Sequence, residues 1–396
     1  MLQLVGIRIR NFKCLSDMTL GTFYGKGEPL PPLCCFIGPN GCGKSSFLDA
    51  FAFISDCLKE GVEAACNKLH RGGFTRLRTQ GSEGPIRFHL LYTESGNSSP
   101  IIDYVFVIDE KNGIPIVSKE EILQLRGRNT VFLDLTEGAG ELLEDEKKKL
   151  EDIRLENKDR LGITSLGQIS KYEHIVSLRK YIESWYLSYF VPDAARRLPP
   201  AGAQKHLDRT GENLGNVLQY MERSHPERLA RILERISKRI PGIQQIRTQK
   251  SPDGRLLLQF NERGYIDPFY QQSMSDGTLK MFAYLLLLED PDPPGIIGIE
   301  EPENGLYHKL LEELAREFRQ YAENFESKSQ IFFTTHSPYF VDALRPEQVW
   351  LMEKDEKGHT QVKRTSDMPA IKELEAEGIP LGSLWYSNHF EERFGR

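Results

Sequence analysis

Gly38-Pro39-Asn40-Gly41-Cys42-Gly43-Lys44-Ser45 is the stretch on which the fold turns. It satisfies the spacing G-x-x-x-x-G-K-[ST], and its flanks give that spacing meaning. Before it stands a short apolar run, Leu33-Cys34-Cys35-Phe36-Ile37, which reads as a buried strand. After it, Phe47, Leu48, Phe51, Ile54 and Leu58 keep helical spacing, so a helix is expected from Lys44 to about Lys59. A strand, a glycine-rich loop and a helix in that order leave backbone N–H groups pointing outward at a helix N-terminus, where a phosphate is held. Gly38, Pro39, Asn40, Gly41, Cys42, Gly43, Lys44, Ser45 and Ser46 are therefore the candidate nucleotide-binding set. Gly41 and Gly43 allow close backbone approach. Lys44 would reach the β- and γ-phosphates of ATP, and the Ser45 hydroxyl would bind Mg²⁺.

Working outward, a second apolar strand, Ile296-Ile297-Gly298-Ile299, ends in Glu300 and Glu301. Carboxylates at the C-terminal end of a parallel strand face the ligand crevice of an α/β sheet. Glu300 is expected to hold Mg²⁺, and Glu301 to polarise an attacking water. Strand alternation would point the two to opposite faces. Ser275-Asp276-Gly277-Thr278 opens an apolar helix, expected over Thr278–Glu289. Ser275 reads either as an N-cap or as a γ-phosphate contact offered to another subunit. Ile331-Phe332-Phe333 leads to Thr334-Thr335-His336-Ser337-Pro338. There His336 is placed to contact the γ-phosphate.

Three regions follow: 1–137 as an N-terminal lobe, 138–250 as a helical insert or lid, and 251–396 as a C-terminal lobe. Ile86–Tyr92, Ile101–Ile108 and Thr130–Leu133 read as antiparallel strands with turns between them. Glu141–Arg160 is mostly charge and reads as a solvated helix or mobile arm. Helical spacing covers Tyr172, Ile175, Val176, Ile182, Tyr186 and Tyr189. It also covers Leu229 to Ile240, a helix expected to end at Pro241-Gly242. Leu256–Phe260 reads as a strand, and Leu306–Phe325 as a helix.

The chain of 396 residues carries a net charge of −6, which excludes a uniformly basic nucleic-acid coat. Local clusters at Arg71, Arg76, Arg78 and Arg196-Arg197 are the candidate DNA contacts. Six cysteines without C-x-x-C pairs or zinc spacing suit free thiols and a cytoplasmic setting. The longest apolar run, Met281–Leu288, is far short of the roughly 18 residues that span a bilayer, so no membrane association is expected. The start MLQLVGIRIRNFK does not read as a signal peptide.

Taken in order, Asn11-Phe12-Lys13, GPNGCGKS, SMSDGT, IIGIEEPENGL and FFTTHSP resemble the ABC-type ATPases of the SMC/RecF/OLD class. Leu381-Gly382-Ser383-Leu384-Trp385-Tyr386-Ser387 narrows the likeness to the compact AAA-family ATPases of bacterial anti-phage operons. The resemblance implies an α/β fold: an ABC-type P-loop NTPase head with an antiparallel β subdomain and an inserted helical lid. It implies ATP and Mg²⁺ as ligands, with Lys13 among the nucleotide contacts. Ser275 and Gly277 match the signature segment, Glu300 and Glu301 the Walker B pair, Asn304-Gly305-Leu306 the D-loop, and His336 the switch histidine. SDGT stands in place of the commoner SGGQ, and Glu300 stands where Asp is commoner. Gln80 is only a positional candidate for the Q-loop glutamine. No acidic D-x-D cluster follows His336, so Toprim nuclease chemistry is not expected in this chain.

A head-to-head homodimer or higher oligomer closing on ATP is implied, with a separately encoded, nuclease-like effector as partner and DNA as a possible ligand. Two outputs stay open: an ATPase that drives a DNA-related process, as in RecF-like repair, and an ATP-locked scaffold that restrains the effector. A transporter ATPase is opposed by the helical insert and by the lack of a readable Q-loop.

Overall fold

The computed structural model describes residues 2–68, 70–94, 100–125, 130–145, 148–240, 242–324 and 329–390. The N-terminal half supplies β1 (Leu2–Phe12), β2 (Leu15–Gly21), β3 (Leu33–Ile37), β4 (Ile86–Glu94), β5 (Ile102–Lys111), β6 (Ile114–Gln124), β7 (Thr130–Thr136), β8 (Ala139–Asp145), β9 (Lys148–Arg154) and β10 (Tyr186–Ser188). The C-terminal half supplies β11 (Ile243–Lys250), β12 (Leu256–Glu262), β13 (Phe269–Tyr270), β14 (Ile296–Glu300), β15 (Gln330–Thr334), β16 (Val349–Lys354) and β17 (Thr360–Arg364).

The central sheet runs β10-β14-β15-β3-β16-β17. Its first five strands are parallel and β17 is antiparallel at the edge. Alternation along β3 decides the layers. Cys34 and Phe36 face one core with the helix Lys44–Glu60. Leu33, Cys35 and Ile37 face the other, with the helices Asp276–Leu288 and His308–Glu323. Both faces are covered, which is why the strand is apolar at every position. The register sets Glu300 beside Thr334 and Thr334 beside Phe36. The C-terminal ends of β14, β15 and β3 therefore finish together, at the edge where α/β sheets take ligands.

An antiparallel sheet of order β2-β1-β4-β5-β6-β7-β8-β9 covers the first core. Here one expectation is corrected. Among the described residues of 141–160 there is no helix; β8 and β9 pair antiparallel at the sheet edge. Leu142 and Ile153 turn inward, at 0% and 9% exposure, while Glu141, Glu151 and Asp152 face solvent. Charge on an edge strand discourages pairing with other chains, so charge density was no argument against a strand.

The span 138–250 is consequently mixed. Its helices Glu173–Glu183 and Pro226–Arg239 bury Ile175 and Ile182, and Leu229, Ile232 and Ile236, as the spacing predicts; Leu178 is buried as well, while Val176 and Leu233 are half-buried. Between them β10 joins the central sheet and takes Tyr186, which was expected on a helix; Tyr189, also expected there, lies just past that strand. β11 opens a third sheet, β11-β12-β13, which leads into the helix Asp276–Leu288. Arg235 reaches Glu289 and Glu317, and Arg239 reaches Glu317, tying the long insert helix to the central layers. Pro241 and Phe325, expected at helix ends, lie outside the described residues. Among the described residues all six cysteines are free thiols, and no helix is long and apolar enough to cross a membrane.

Candidate active site

β3 stops at Ile37 and the chain turns through three glycines with positive φ: Gly38 at 145°, Gly41 at 78° and Gly43 at 114°. A Cβ on Gly38 would lie 2.0 Å from the Met352 carbonyl oxygen, and one on Gly43 would lie 2.3 Å from Thr360 Oγ1. β16 and β17 thus press against the loop from behind. Thr360 Oγ1 donates to the Cys42 carbonyl at 2.7 Å. The helix that follows has no side-chain cap, which leaves its first N–H groups free for an anion. Pro39, Asn40, Gly41 and Ser45 are exposed, Ser46 is half-buried, and Cys42 and Gly43 are buried. Lys44 is 5% exposed. Its Nζ donates to the carbonyls of Gly38 at 2.9 Å and Pro39 at 3.1 Å, so the ammonium lies across the loop.

Ser45 Oγ donates to Glu300 Oε1. Residues 255 positions apart thus present two hard oxygen atoms side by side. Glu301 then leaves the strand at φ 42°, a left-handed conformation that costs a non-glycine residue about 1–3 kcal/mol. Its N–H donates to the carbonyl and the hydroxyl of Thr334, at 3.1 and 3.2 Å. The expected strict alternation therefore ends at Glu300, and the turn at Glu301 sets its side chain. Glu301 Oε1 lies 3.3 Å from His336 Nε2, and Glu301 Oε2 accepts from Asn304 Nδ2 at 2.7 Å.

Glu303, which sequence reasoning passed over, belongs to the same turn. Its Oε1 accepts from Thr335 Oγ1 at 2.8 Å and from the His336 N–H at 2.6 Å. Burial pushes its carboxyl above the ordinary range, against those hydrogen bonds. Beneath it Lys280, 5% exposed, donates to the Asn304 carbonyl at 2.6 Å. Burial pulls that ammonium below its ordinary value, while Glu303, Asp276 and Glu301 favour its charge.

Ser275 is the N-cap of its helix: its Oγ accepts from the Thr278 N–H at 3.2 Å and shares a hydrogen bond with Thr278 Oγ1 at 2.9 Å. Those bonds stay within the segment and do not reach the phosphate loop of the same chain. A Cβ on Gly277 would lie 3.1 Å from the Gly305 carbonyl oxygen, so this helix start packs on the turn after Glu301. Arg196 braces it, pairing with Asp276 and donating to the Met274 carbonyl at 2.9 Å.

Lys13, at φ 52°, pairs with Asp49 of the helix Lys44–Glu60 at 2.6 Å. It therefore stands beside the helix, one turn past Ser45, and not on the loop itself. Asp49 also takes Arg71, whose side chain is fully buried and which reaches Asp56 as well. Burial works to raise the Asp49 carboxyl, yet Arg71 and Lys13 hold it below its ordinary value. Arg71 is accordingly a core ion-pair residue and is withdrawn as a DNA contact. Arg196 is likewise engaged inside the chain. Arg197 pairs with Glu212 on the exposed surface, and Arg76 is exposed. Arg78 lies over the Phe74 ring at 5.7 Å. Gln80 is exposed, and none of the hydrogen bonds just described involves it.

A family profile described as "AAA domain, putative AbiEii toxin, Type IV TA system" matches residues 33–342, more than half of the chain. A second, described as "AAA domain", matches residues 7–56. No curated protein matches. Similar solved structures include an Smc head bound to the C-terminal winged-helix domain of ScpA, at 14% identity and TM-score 0.49, covering 91% of this chain and 97% of that one. The SMC head domain from Thermotoga maritima gives 14% and 0.43, with 91% and 98% covered. An Smc head with an extended coiled coil, bound to the C-terminal domain of ScpA and derived from Pyrococcus furiosus, gives 14% and 0.46, with 96% and 100% covered.

Proposed function

The chain belongs to the AAA-domain family described as a putative AbiEii toxin of a Type IV TA system, and from that membership we propose that it binds and hydrolyses ATP at the junction of β3, β14 and β15. The observation that carries this reading is the hydrogen bond from Ser45 to Glu300. It joins the phosphate loop to the acidic strand end, which is what a site for a phosphate-bound cation requires. Two protein oxygens suit Mg²⁺, which takes few protein ligands and fills its shell from phosphate and water. When bound, Mg²⁺ neutralises charge on the β- and γ-phosphates.

The chain's own residues supply the rest. The N–H groups of Asn40 to Ser45 receive the phosphates at the helix N-terminus. Lys44 turns from the carbonyls of Gly38 and Pro39 onto the β- and γ-oxygens. Glu301 orients a water whose oxygen attacks the γ-phosphorus as the bond to the bridging oxygen breaks, and its carboxylate takes the proton. His336 faces the same reacting group, while Lys13 is held by Asp49 beside the helix, one turn past Ser45.

Ser275 and the Gly277 N–H serve the nucleotide of a second copy in a head-to-head homodimer. Exposed apolar side chains support a covered face there. Tyr189, Tyr307 and Tyr339, at 38%, 57% and 60% exposure, sit on the segments that follow β10, β14 and β15. The dimer would gate a separately encoded, nuclease-like effector in anti-phage defence. Any DNA contact would be local and salt-dependent.

The test is Mg·ATP binding by calorimetry. Lys44→Ala should lose measurable binding while keeping the wild-type fold by circular dichroism. Unchanged affinity would remove the nucleotide assignment.

A further inference from the structure

Glu303 has no part in the chemistry just proposed, yet it is built into the same turn. Its Oε1 accepts two donors from the other strand end: the Thr335 hydroxyl at 2.8 Å and the His336 main-chain N–H at 2.6 Å. Its Oε2 is buried with no hydrogen-bond partner among the described residues. A buried carboxylate oxygen without a donor is destabilising, so the side chain is not explained by stability alone. The Lys280 ammonium, from the helix headed by Ser275, holds the Asn304 carbonyl at 2.6 Å and fixes the turn on its other side. Thr335, 0% exposed, passes the contact on, since its Oγ1 accepts from the Ser337 N–H at 3.0 Å.

We propose that Glu303 is a positioning residue: its Oε1 holds the Thr335 hydroxyl and the His336 main-chain N–H so that the imidazole meets Glu301 and the γ-phosphate. The proposal rests on the ATPase reading and deepens it. It follows from direction. The imidazole touches Glu301 at 3.3 Å through one ring nitrogen, a contact with freedom to swing. The main-chain N–H of His336 is anchored instead, and the anchor comes from the turn that carries Glu301. Acid and histidine therefore move as one body. Misplacing a catalytic group by about 1 Å costs on the order of a hundredfold in rate. Loss of the strut should consequently lower kcat and leave ATP affinity alone, because Glu303 touches none of the phosphate-loop groups.

The experiment compares wild type with Glu303→Ala, Glu303→Asp and Glu303→Gln in the full chain. Equilibrium ATP affinity, kcat and amide hydrogen exchange of the 334–337 segment are measured. Glu303→Ala should lower kcat by roughly ten- to a hundredfold and speed exchange at His336 by about tenfold, with ATP affinity within about threefold of wild type. Glu303→Gln keeps an acceptor oxygen and should restore both kcat and protection. Glu303→Asp keeps the charge but falls short of the His336 N–H, and it should behave like Glu303→Ala. It decides the matter if the alanine variant fails to fold. Wild-type kcat and exchange in Glu303→Asp would overturn the proposal, as would a Glu303→Gln as impaired as Glu303→Ala. If wild type itself does not hydrolyse ATP, the ATPase reading fails, while the exchange comparison still decides whether Glu303 holds His336.

Discussion

Raising the pH from about 5 to about 8 should weaken folding through one buried carboxyl, Glu120 on β6. It is 1% exposed, and burial pushes it up to about 7 from an ordinary 4.5. Its donors are the N–H groups of Gly162 and Ile163 and the Tyr104 hydroxyl, the last two at 3.1 and 3.0 Å. They favour the ionised form without offsetting the loss of water. Below pH 4.5 the group is protonated in both folded and unfolded chains. Between 4.5 and 7 the unfolded chain releases the proton and the folded chain keeps it, so stability falls as pH rises. Above 7 both are ionised and the full penalty persists. A difference of roughly 2.5 units corresponds to about 3 kcal/mol. Glu120→Gln removes the ionisation. Urea unfolding of both proteins at several pH values isolates the effect, because distant titrations cancel in the difference. The variant should gain about 2.5 kcal/mol on wild type between pH 5 and pH 8, the rest of the difference falling below pH 5. Parallel curves for the two proteins would refute the reasoning.

Replacing Ser275 with Arg should leave ATP binding to the monomer intact yet abolish the ATP-dependent dimer, read by light scattering. Mixing that variant with Lys44→Ala should recover part of the ATPase, because one composite site in the heterodimer is whole; a monomer hydrolysing at full rate at high dilution would contradict it. Arg71→Met should destabilise the fold by about 3 kcal/mol by urea unfolding, since Asp49 and Asp56 stay buried and lose their shared cation. A stability unchanged from wild type would show that Lys13, which pairs with Asp49 at 2.6 Å, and Lys68, which pairs with Asp56 at 2.7 Å, suffice.

The parts of the site that chemistry ties to fixed spacing were legible in the sequence. The glycine-rich loop, the acidic strand end and His336 each follow an apolar run, and each lies at the end of a parallel strand. What the sequence did not carry was which distant donors meet which carboxylates. Glu303 stands in the quoted IIGIEEPENGL segment, but its role depends on Thr335 and His336 arriving beside it. Arg71 looked like a surface cation because a cluster of charges says nothing of its partners. Asp49 and Asp56, seven apart within the largely apolar stretch Phe47–Leu58, share a face and were the signal that a cation must meet them.

The hairpin errors have local causes. Asn112 and Gly113, both at positive φ, join β5 to β6, and Glu137 and Gly138, also at positive φ, join β7 to β8. Asn-Gly between alternating residues is a strong hairpin signal, and it would have located β6. Glu-Gly is weaker, and the charge that follows it obscured β8 and β9.

The central claim is hydrolysis at a site joining Ser45, Glu300 and Glu301. Steady-state phosphate release with ATP and Mg²⁺, in wild type and Glu301→Gln, tests it most directly. Wild type should release phosphate in a Mg²⁺-dependent manner, and Glu301→Gln should bind ATP normally while turning over about a hundredfold or more slowly. Equal rates in the two proteins, or release that ignores Mg²⁺, would contradict the account.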